Sequence, residues 1–148
     1  MLVDVISEVE IRRPRDEVAS FASSPDNATA WYQNIKSVEW LSARPAAVGS
    51  RMAFVAEFLG RRLAYTYEIV EIIPGYKFVM RTAEGPFPME TTYSWQDAEG
   101  GVTRMTLRNR GEPSGFRGVA APLMAAAMRR ANRKDLKRLK QILEGRDG

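Results

Sequence analysis

The sequence contains no cysteine and no histidine among its 148 residues. Without cysteine there is no disulfide, no thiol nucleophile and no thiolate metal site. Without histidine the chain lacks the commonest neutral-pH base and the commonest metal ligand. Carboxylates alone would have to hold a metal, and the acidic turn at residues 97–99 has no calcium-loop pattern. We therefore assign no metal site, no cofactor and no catalytic residue from the sequence.

Long apolar runs and phosphate-binding loops are absent as well. No stretch of about 18 apolar residues occurs, so we expect no stable membrane insertion. The first residues alternate apolar and polar side chains, unlike a signal peptide, and we expect a cytoplasmic protein. Neither GxxxxGK[ST] nor a GxGxxG after a strand is present, so nucleotide binding has no motif. The length favours a single domain over residues 1–148.

Positive charge is concentrated in the last quarter of the chain. The net charge is +4, with −2 in residues 1–112 and +6 in residues 113–148. There, Met124, Met128, Leu136 and Leu139 recur at helical spacing opposite arginines and lysines. We predict one long helix from about Pro122 to residue 144, after a separate turn at 115–120, because proline suits the first turn of a helix. No aromatic residue interrupts the basic face, so we interpret it as solvated and predict no nucleic-acid partner.

Period-2 alternation of β-branched and aromatic residues predicts strands before that helix. They cover residues 2–11, 35–41, 51–59, 62–73, 77–82, 89–96 and 102–110. Short links such as Leu59-Gly60-Arg61 and Pro74-Gly75 favour antiparallel neighbours, and Gly85-Pro86 breaks the chain. Between the first two strands, Arg13-Pro14 opens a short helix, and residues 25–32 can form a second. The predicted fold class is α+β.

The predicted strands have one charged face and one apolar face. The apolar face is rich in tyrosine, tryptophan, methionine and threonine, whereas a packed core favours leucine, isoleucine and valine. Buried tyrosine and tryptophan need hydrogen-bond partners, and flexible methionine fills irregular gaps, so this mixture suits the wall of a cavity with polar handles. Aromatic residues packed on one another and on the helix would produce the same pattern. Both interpretations stay open.

The order of the turn and helix motifs resembles a known family. The motifs are Arg13-Pro14 with Glu17-Val18, Trp31 before a strand ending in Val38-Glu39, Val48-Gly49, Tyr67-Glu68-Ile69, Pro74-Gly75, Gly85-Pro86-Phe87, Gly100-Gly101-Val102-Thr103 and the terminal run from Arg133 to Lys140. Over essentially the whole chain they resemble the polyketide cyclase/dehydrase-like branch of the START and pollen-allergen (SRPBCC) superfamily. The resemblance implies a helix-grip fold. In this fold a curved, seven-stranded antiparallel sheet wraps the C-terminal helix, two short helices follow the first strand, and a cavity for a lipid, polyketide or aromatic metabolite lies between sheet and helix.

Function has to be argued from the site, because one such scaffold carries many activities. Our leading hypothesis is noncatalytic binding of a small hydrophobic or amphipathic partner in the cavity. The alternative is a polyketide aromatase/cyclase-type enzyme that uses cavity tyrosines, so enzymatic activity stays open. The candidate ligand-binding residues are inward-facing aromatic, methionine and polar side chains: Trp31, Phe54, Tyr65, Tyr67, Phe78, Met80, Thr91, Tyr93, Trp95, Met105, Leu107, Asn109, Met124 and Met128.

Two further positions have competing interpretations. Asp135 is the acid on the apolar side of the predicted helix and could be a cavity carboxylate. We instead predict a structural ion pair with Arg138 one turn on, or with a strand arginine, Arg108 or Arg110. Trp31, with its neighbour Tyr32, can form a ligand gate or a hydrophobic plug for the short helices.

Overall fold

The computed structural model describes residues 3–84, 88–112 and 120–146. It contains seven strands in a single antiparallel sheet whose spatial order is β1-β7-β6-β5-β4-β3-β2. The strands are β1 (Val3–Ile11), β2 (Ile35–Trp40), β3 (Arg51–Phe58), β4 (Arg61–Ile73), β5 (Lys77–Glu84), β6 (Met89–Ala98) and β7 (Val102–Gly111). The helices are α1 (Arg15–Ala22), α2 (Ala28–Trp31) and α3 (Ala121–Glu144). The predicted helix-grip fold is confirmed.

The long helix α3 has its proline in the first turn, as predicted. Its buried side chains follow helical spacing and form a stripe that packs on the concave side of the curved sheet. The stripe consists of Met124, Met128, Asn132, Asp135, Leu136, Leu139 and Leu143. The predicted break at Gly85-Pro86 and residues 115–119 of the predicted turn lie outside the described residues.

The two short helices follow β1. Helix α1 begins after Pro14, and Asp16 and Glu17 in its first turn suit the positive end of the helix dipole. The predicted second helix is divided, because Pro25–Asn27 form a 3-10 turn and only Ala28–Trp31 are α-helical. This short segment places the ring of Trp31 in the core, where it is 1% exposed.

The hydrophobic core has two parts along α3. The larger part consists of buried side chains from α1, α2, several strands and the last turns of α3, including Leu136, Leu139 and Leu143. The smaller part joins Met124 and Met128 to side chains of β1, β4 and β6. The outer face of the sheet is charged, with ion pairs between neighbouring strands. The alternation predicted from the sequence therefore holds over most of the sheet.

One irregularity in β4 could not be predicted from alternation. The register between β4 and β5 shifts between Ile69 and Glu71, which indicates a β-bulge. Ile72 consequently packs against the core, while Ile73 is exposed. The bulge changes which face each later residue of β4 occupies.

Candidate functional site

A cavity of about 160 Å³ lies between the sheet and the first half of α3. Its wall consists mainly of aromatic, methionine and small apolar side chains. Side chains with polar groups come from four regions: the end of α2 and the residues after it, the centre of the sheet, the C-terminal end of α1, and α3. They are Ser23, Ser24, Tyr32, Asn34, Tyr65, Tyr67, Thr91, Tyr93, Asn109, Asn132 and Asp135.

Helical and strand periodicity bring the wall together. On α3, Met124, Met128, Asn132 and Asp135 lie three or four residues apart and therefore share one face. On β4 and β6 every second residue points to the same side of the sheet, which delivers two groups of lining residues. These groups are Leu63, Tyr65 and Tyr67 of β4 and Met89, Thr91 and Tyr93 of β6.

A chain of hydrogen bonds crosses the cavity from the sheet to α3. The Thr91 hydroxyl donates to Asn109 Oδ1 at 2.7 Å, and Asn109 Nδ2 donates to Asn132 Oδ1 at 3.2 Å. Thr91 and Asn109 are directly opposite each other on β6 and β7, so the sheet register fixes their contact. Tyr67 lies beside this hydrogen-bond chain in the cavity wall.

A pair of phenols forms a second polar group in the wall. The hydroxyls of Tyr32 and Tyr93 are 2.6 Å apart. Burial raises the pKa of both phenols well above the ordinary range, so both stay protonated at neutral pH. Each phenol carries one proton and only one proton is used between them, so one O–H remains available as a donor. Burial also raises the pKa of Tyr67 to about 12, although the Thr91 hydrogen bond opposes the shift.

Asp135 differs from its predicted role. Its Oδ1 accepts a hydrogen bond from the backbone N–H of Gln33 at 3.0 Å, and no cation pairs with it among the described residues. Arg108 and Arg110 point outward and pair with acidic residues on the other face of the sheet, while Arg138 is exposed. The ion-pair prediction was wrong because β7 alternation directs its arginines away from α3. Burial raises the pKa of Asp135 to about 6, and the Gln33 hydrogen bond offsets only part of that shift.

The predicted ligand-binding residues divide into two groups. Those that line the cavity are Phe54, Tyr65, Tyr67, Phe78, Met80, Thr91, Tyr93, Asn109, Met124 and Met128. The others, Trp31, Trp95, Met105 and Leu107, face inward but lie in the larger part of the core, where α1, α2 and the end of α3 fill the space. The inward orientation of a side chain could not by itself distinguish the cavity wall from the packed core. Whether any of these residues binds a ligand remains a prediction.

Asn132, although it falls on the apolar side of the predicted helix, was not among the predicted site residues, and the pairing of Tyr32 with Tyr93 was not predicted. Asn132 sits within the apolar stripe of α3 and is 5% exposed. A polar amide in such a stripe needs a partner, and that requirement was a usable signal. The Tyr32–Tyr93 contact joins residues 61 positions apart and left no local signal.

Neither a metal centre nor a membrane span is formed by the part of the chain that the structure describes. In the described ranges no cluster of three or more acidic side chains is placed to hold a metal ion. No helix there is both long enough and apolar enough to span a membrane.

Fold and cavity together define an α+β helix-grip protein of the START and SRPBCC type. Residues 3–144 match the family described as polyketide cyclase / dehydrase and lipid transport, and the chain belongs to that family. Among curated proteins, none matches the sequence significantly.

Solved structures with the same fold come from several bacteria. The protein TTHA0849 from Thermus thermophilus is 23% identical, with a TM-score of 0.81 over 97% of this chain and 99% of its own. The Zhui aromatase/cyclase from Streptomyces sp. R1128 is 14% identical, with a TM-score of 0.80 over 97% and 94%. A START superfamily protein from Mycobacterium smegmatis is 17% identical, with a TM-score of 0.74 over 96% and 94%. At these identities the likeness concerns the fold.

Proposed function

We propose that this protein binds a small hydrophobic or amphipathic molecule in the cavity between the sheet and α3. The observation that carries the proposal is the cavity itself, about 160 Å³ walled by aromatic and methionine side chains. A bound apolar molecule recovers contacts that the empty space lacks. An apolar cavity of about 150 Å³ accepts benzene, so the volume suits a one-ring compound.

The polar side chains in the cavity wall orient the ligand, whereas its affinity comes from the apolar surface. Tyr32 with Tyr93, and Tyr67 with the Thr91–Asn109 pair, form two polar clusters in an otherwise apolar wall. This combination of apolar surface and few polar groups is typical of small-molecule sites. The family description includes lipid transport, and a noncatalytic carrier or sensor fits it.

A filled-cavity variant tests the proposal. Ala131→Leu adds a branched side chain to the wall, while Ala126→Leu makes the same change at an exposed position of the same helix. We expect native mass spectrometry and thermal shifts to show binding of one-ring apolar compounds to the unaltered protein and to A126L, and at least tenfold weaker binding to A131L. Binding to none of the three proteins, or equal binding to both variants, would overturn the proposal.

One observation favours a second candidate, an enzyme that moves protons on the bound molecule. Asp135 is 3% exposed, lines the cavity and has a pKa raised by burial to about 6. Near neutral pH such a carboxyl exchanges protons readily. Asp135 then removes a proton from the carbon beside a ligand carbonyl, and a phenol of the Tyr32–Tyr93 pair hydrogen-bonds the enolate oxygen. The family description includes polyketide cyclase and dehydrase.

Deuterium incorporation next to the carbonyl of a bound ketone, followed by NMR in D₂O, tests this second candidate. We expect exchange with the unaltered protein and its loss in Asp135→Asn. If the bound ketone exchanges at the solvent rate in both proteins, the enzyme candidate is excluded and only the carrier function remains.

A further inference from the structure

The chemistry of the cavity also restricts the polar group that its ligand carries. Asn132 is only 5% exposed, and its Nδ2 has no hydrogen-bond partner among the described residues. Other buried donors without a described partner belong to Ser7, Arg15, Trp31 and Trp95, but none of these residues lines this cavity. Asn132 does line it. A bound molecule can therefore supply the acceptor that the described residues do not provide.

The hydrogen-bond chain determines which end of the Asn132 amide is unused. Thr91 donates to Asn109 Oδ1, which places Asn109 Nδ2 toward α3, where it donates to Asn132 Oδ1. Asn132 Oδ1 is thereby engaged, and the N–H groups of Nδ2 are left over. Both of these bonds run in the same direction, from the sheet toward the helix. The chain therefore ends in a donor, and a buried donor without a partner is costly.

The charges around the cavity further restrict the net charge that a ligand can carry. Its described wall contains no lysine and no arginine, and its one acidic side chain is Asp135. A carboxylate ligand would enter a low-dielectric space without a counter-ion and would face Asp135, which ionises above its raised pKa of about 6. A neutral acceptor meets the Asn132 donor without that penalty.

We propose that the cavity selects a small, neutral ligand carrying a carbonyl oxygen, about one ring in size, whose oxygen accepts a hydrogen bond from Asn132 Nδ2. This inference rests on the proposed binding function. The tyrosine O–H left over from the Tyr32–Tyr93 pair is a second donor in the same wall, so a second acceptor on the ligand also finds a partner there.

Four probes of nearly the same shape test the proposal on the unaltered protein. They are acetophenone, a neutral ketone; α-methylstyrene, its apolar isostere; benzoate, its anionic counterpart; and α-methylbenzylamine, which is protonated at pH 7.5. We expect acetophenone to bind at least tenfold more tightly than α-methylstyrene, a difference of about 1.4 kcal/mol, and benzoate to bind more weakly than both.

Each result has a distinct meaning. If α-methylstyrene binds as tightly as acetophenone, the binding function stands and the carbonyl inference is wrong. If the amine or benzoate binds most tightly, the inference is also wrong, because the site then prefers a cation through Asp135 or an anion. If no probe binds, the proposed function fails together with the inference that rests on it.

A variant pair locates the effect at Asn132. Asn132→Leu keeps the shape and removes the donor, while Gln141→Leu changes an exposed amide of the same helix. We expect N132L to bind both neutral probes with affinities within about twofold of each other, and Q141L to keep the tenfold preference. A preference that persists in N132L would assign the donor to another residue and overturn the proposal. The comparison of probes on the unaltered protein needs no variant, so the test survives if N132L does not fold.

Discussion

Because the carboxyl of Asp135 is buried, we predict that it destabilises the folded protein as the pH rises, the opposite of an acid in a salt bridge. Its pKa is about 6 in the folded protein, against an ordinary value of 3.8, because burial disfavours the charge. The folded state therefore holds this proton more tightly than the unfolded chain does. The contribution of Asp135 to the free energy of unfolding falls as the pH rises from about 4 to about 6, and it is constant above about 7.

Replacing Asp135 by asparagine removes that dependence. At 1.36 kcal/mol for each pKa unit, the ionised carboxyl costs the folded state about 3 kcal/mol at neutral pH. The asparagine Oδ1 can still accept the Gln33 N–H, so the backbone hydrogen bond is kept. We expect the stability of D135N minus that of the unaltered protein to rise by about 3 kcal/mol between pH 4 and pH 7.5. Denaturant unfolding at several pH values measures this difference, and titrations common to both proteins cancel.

Glu144 is a control of opposite sign on the same helix. The backbone N–H of Arg12 and then the Lys140 ammonium lower its pKa. Its stabilising effect is present above the ordinary pKa and is lost as the pH falls through the lowered one, so E144Q loses most stability at neutral pH. A D135N difference that is flat with pH, or that decreases toward pH 7.5, would refute the reasoning about a desolvated carboxyl.

Three further substitutions probe packing and polar satisfaction by the same unfolding measurement. Tyr93→Phe leaves the Tyr32 hydroxyl without its partner at a cost of about 1–3 kcal/mol, and the double change to phenylalanine should recover part of that loss; equal loss in both would contradict it. Gly111→Ala places a Cβ 2.1 Å from the Pro88 carbonyl oxygen, so we expect about 3 kcal/mol of destabilisation or failure to fold. Leu139→Ala empties a fully buried site at a cost of about 2–5 kcal/mol, and a loss below 1 kcal/mol would mean the site collapses.

Local patterns were sufficient for the order and type of the secondary-structure elements. Alternation in β1, β6 and β7 reflects one face on the core and one in water, and those strands extend within a residue or two of their predicted ends. The start of α3 follows from Pro122. Proline has no backbone N–H, and that N–H is needed for hydrogen bonding in a helix interior but not in the first turn. These features depend on each residue and its near neighbours in sequence. The order of the elements and the face of the sheet on which each side chain lies could therefore be predicted from the sequence.

The cavity and its hydrogen bonds depend on contacts between distant parts of the chain. Alternation showed that Met105 and Tyr93 both face inward, but only the placement of α1, α2 and α3 decides that one is core and the other cavity wall. The partner of Asp135 is the Gln33 backbone N–H, 102 residues away, and no spacing rule connects them.

The sequence by itself determined the order of strands and helices, the inward face of the sheet and the apolar stripe of α3, because periodicity and turn chemistry are local properties. The helix-grip class was implied by the resemblance of the motifs to a known family. Only the tertiary structure decided which inward residues line the cavity, which amide keeps an unused donor and why the pKa of Asp135 is raised. Those outcomes depend on packing volume, burial and hydrogen-bond partners, which exist only once the sheet closes on the helix.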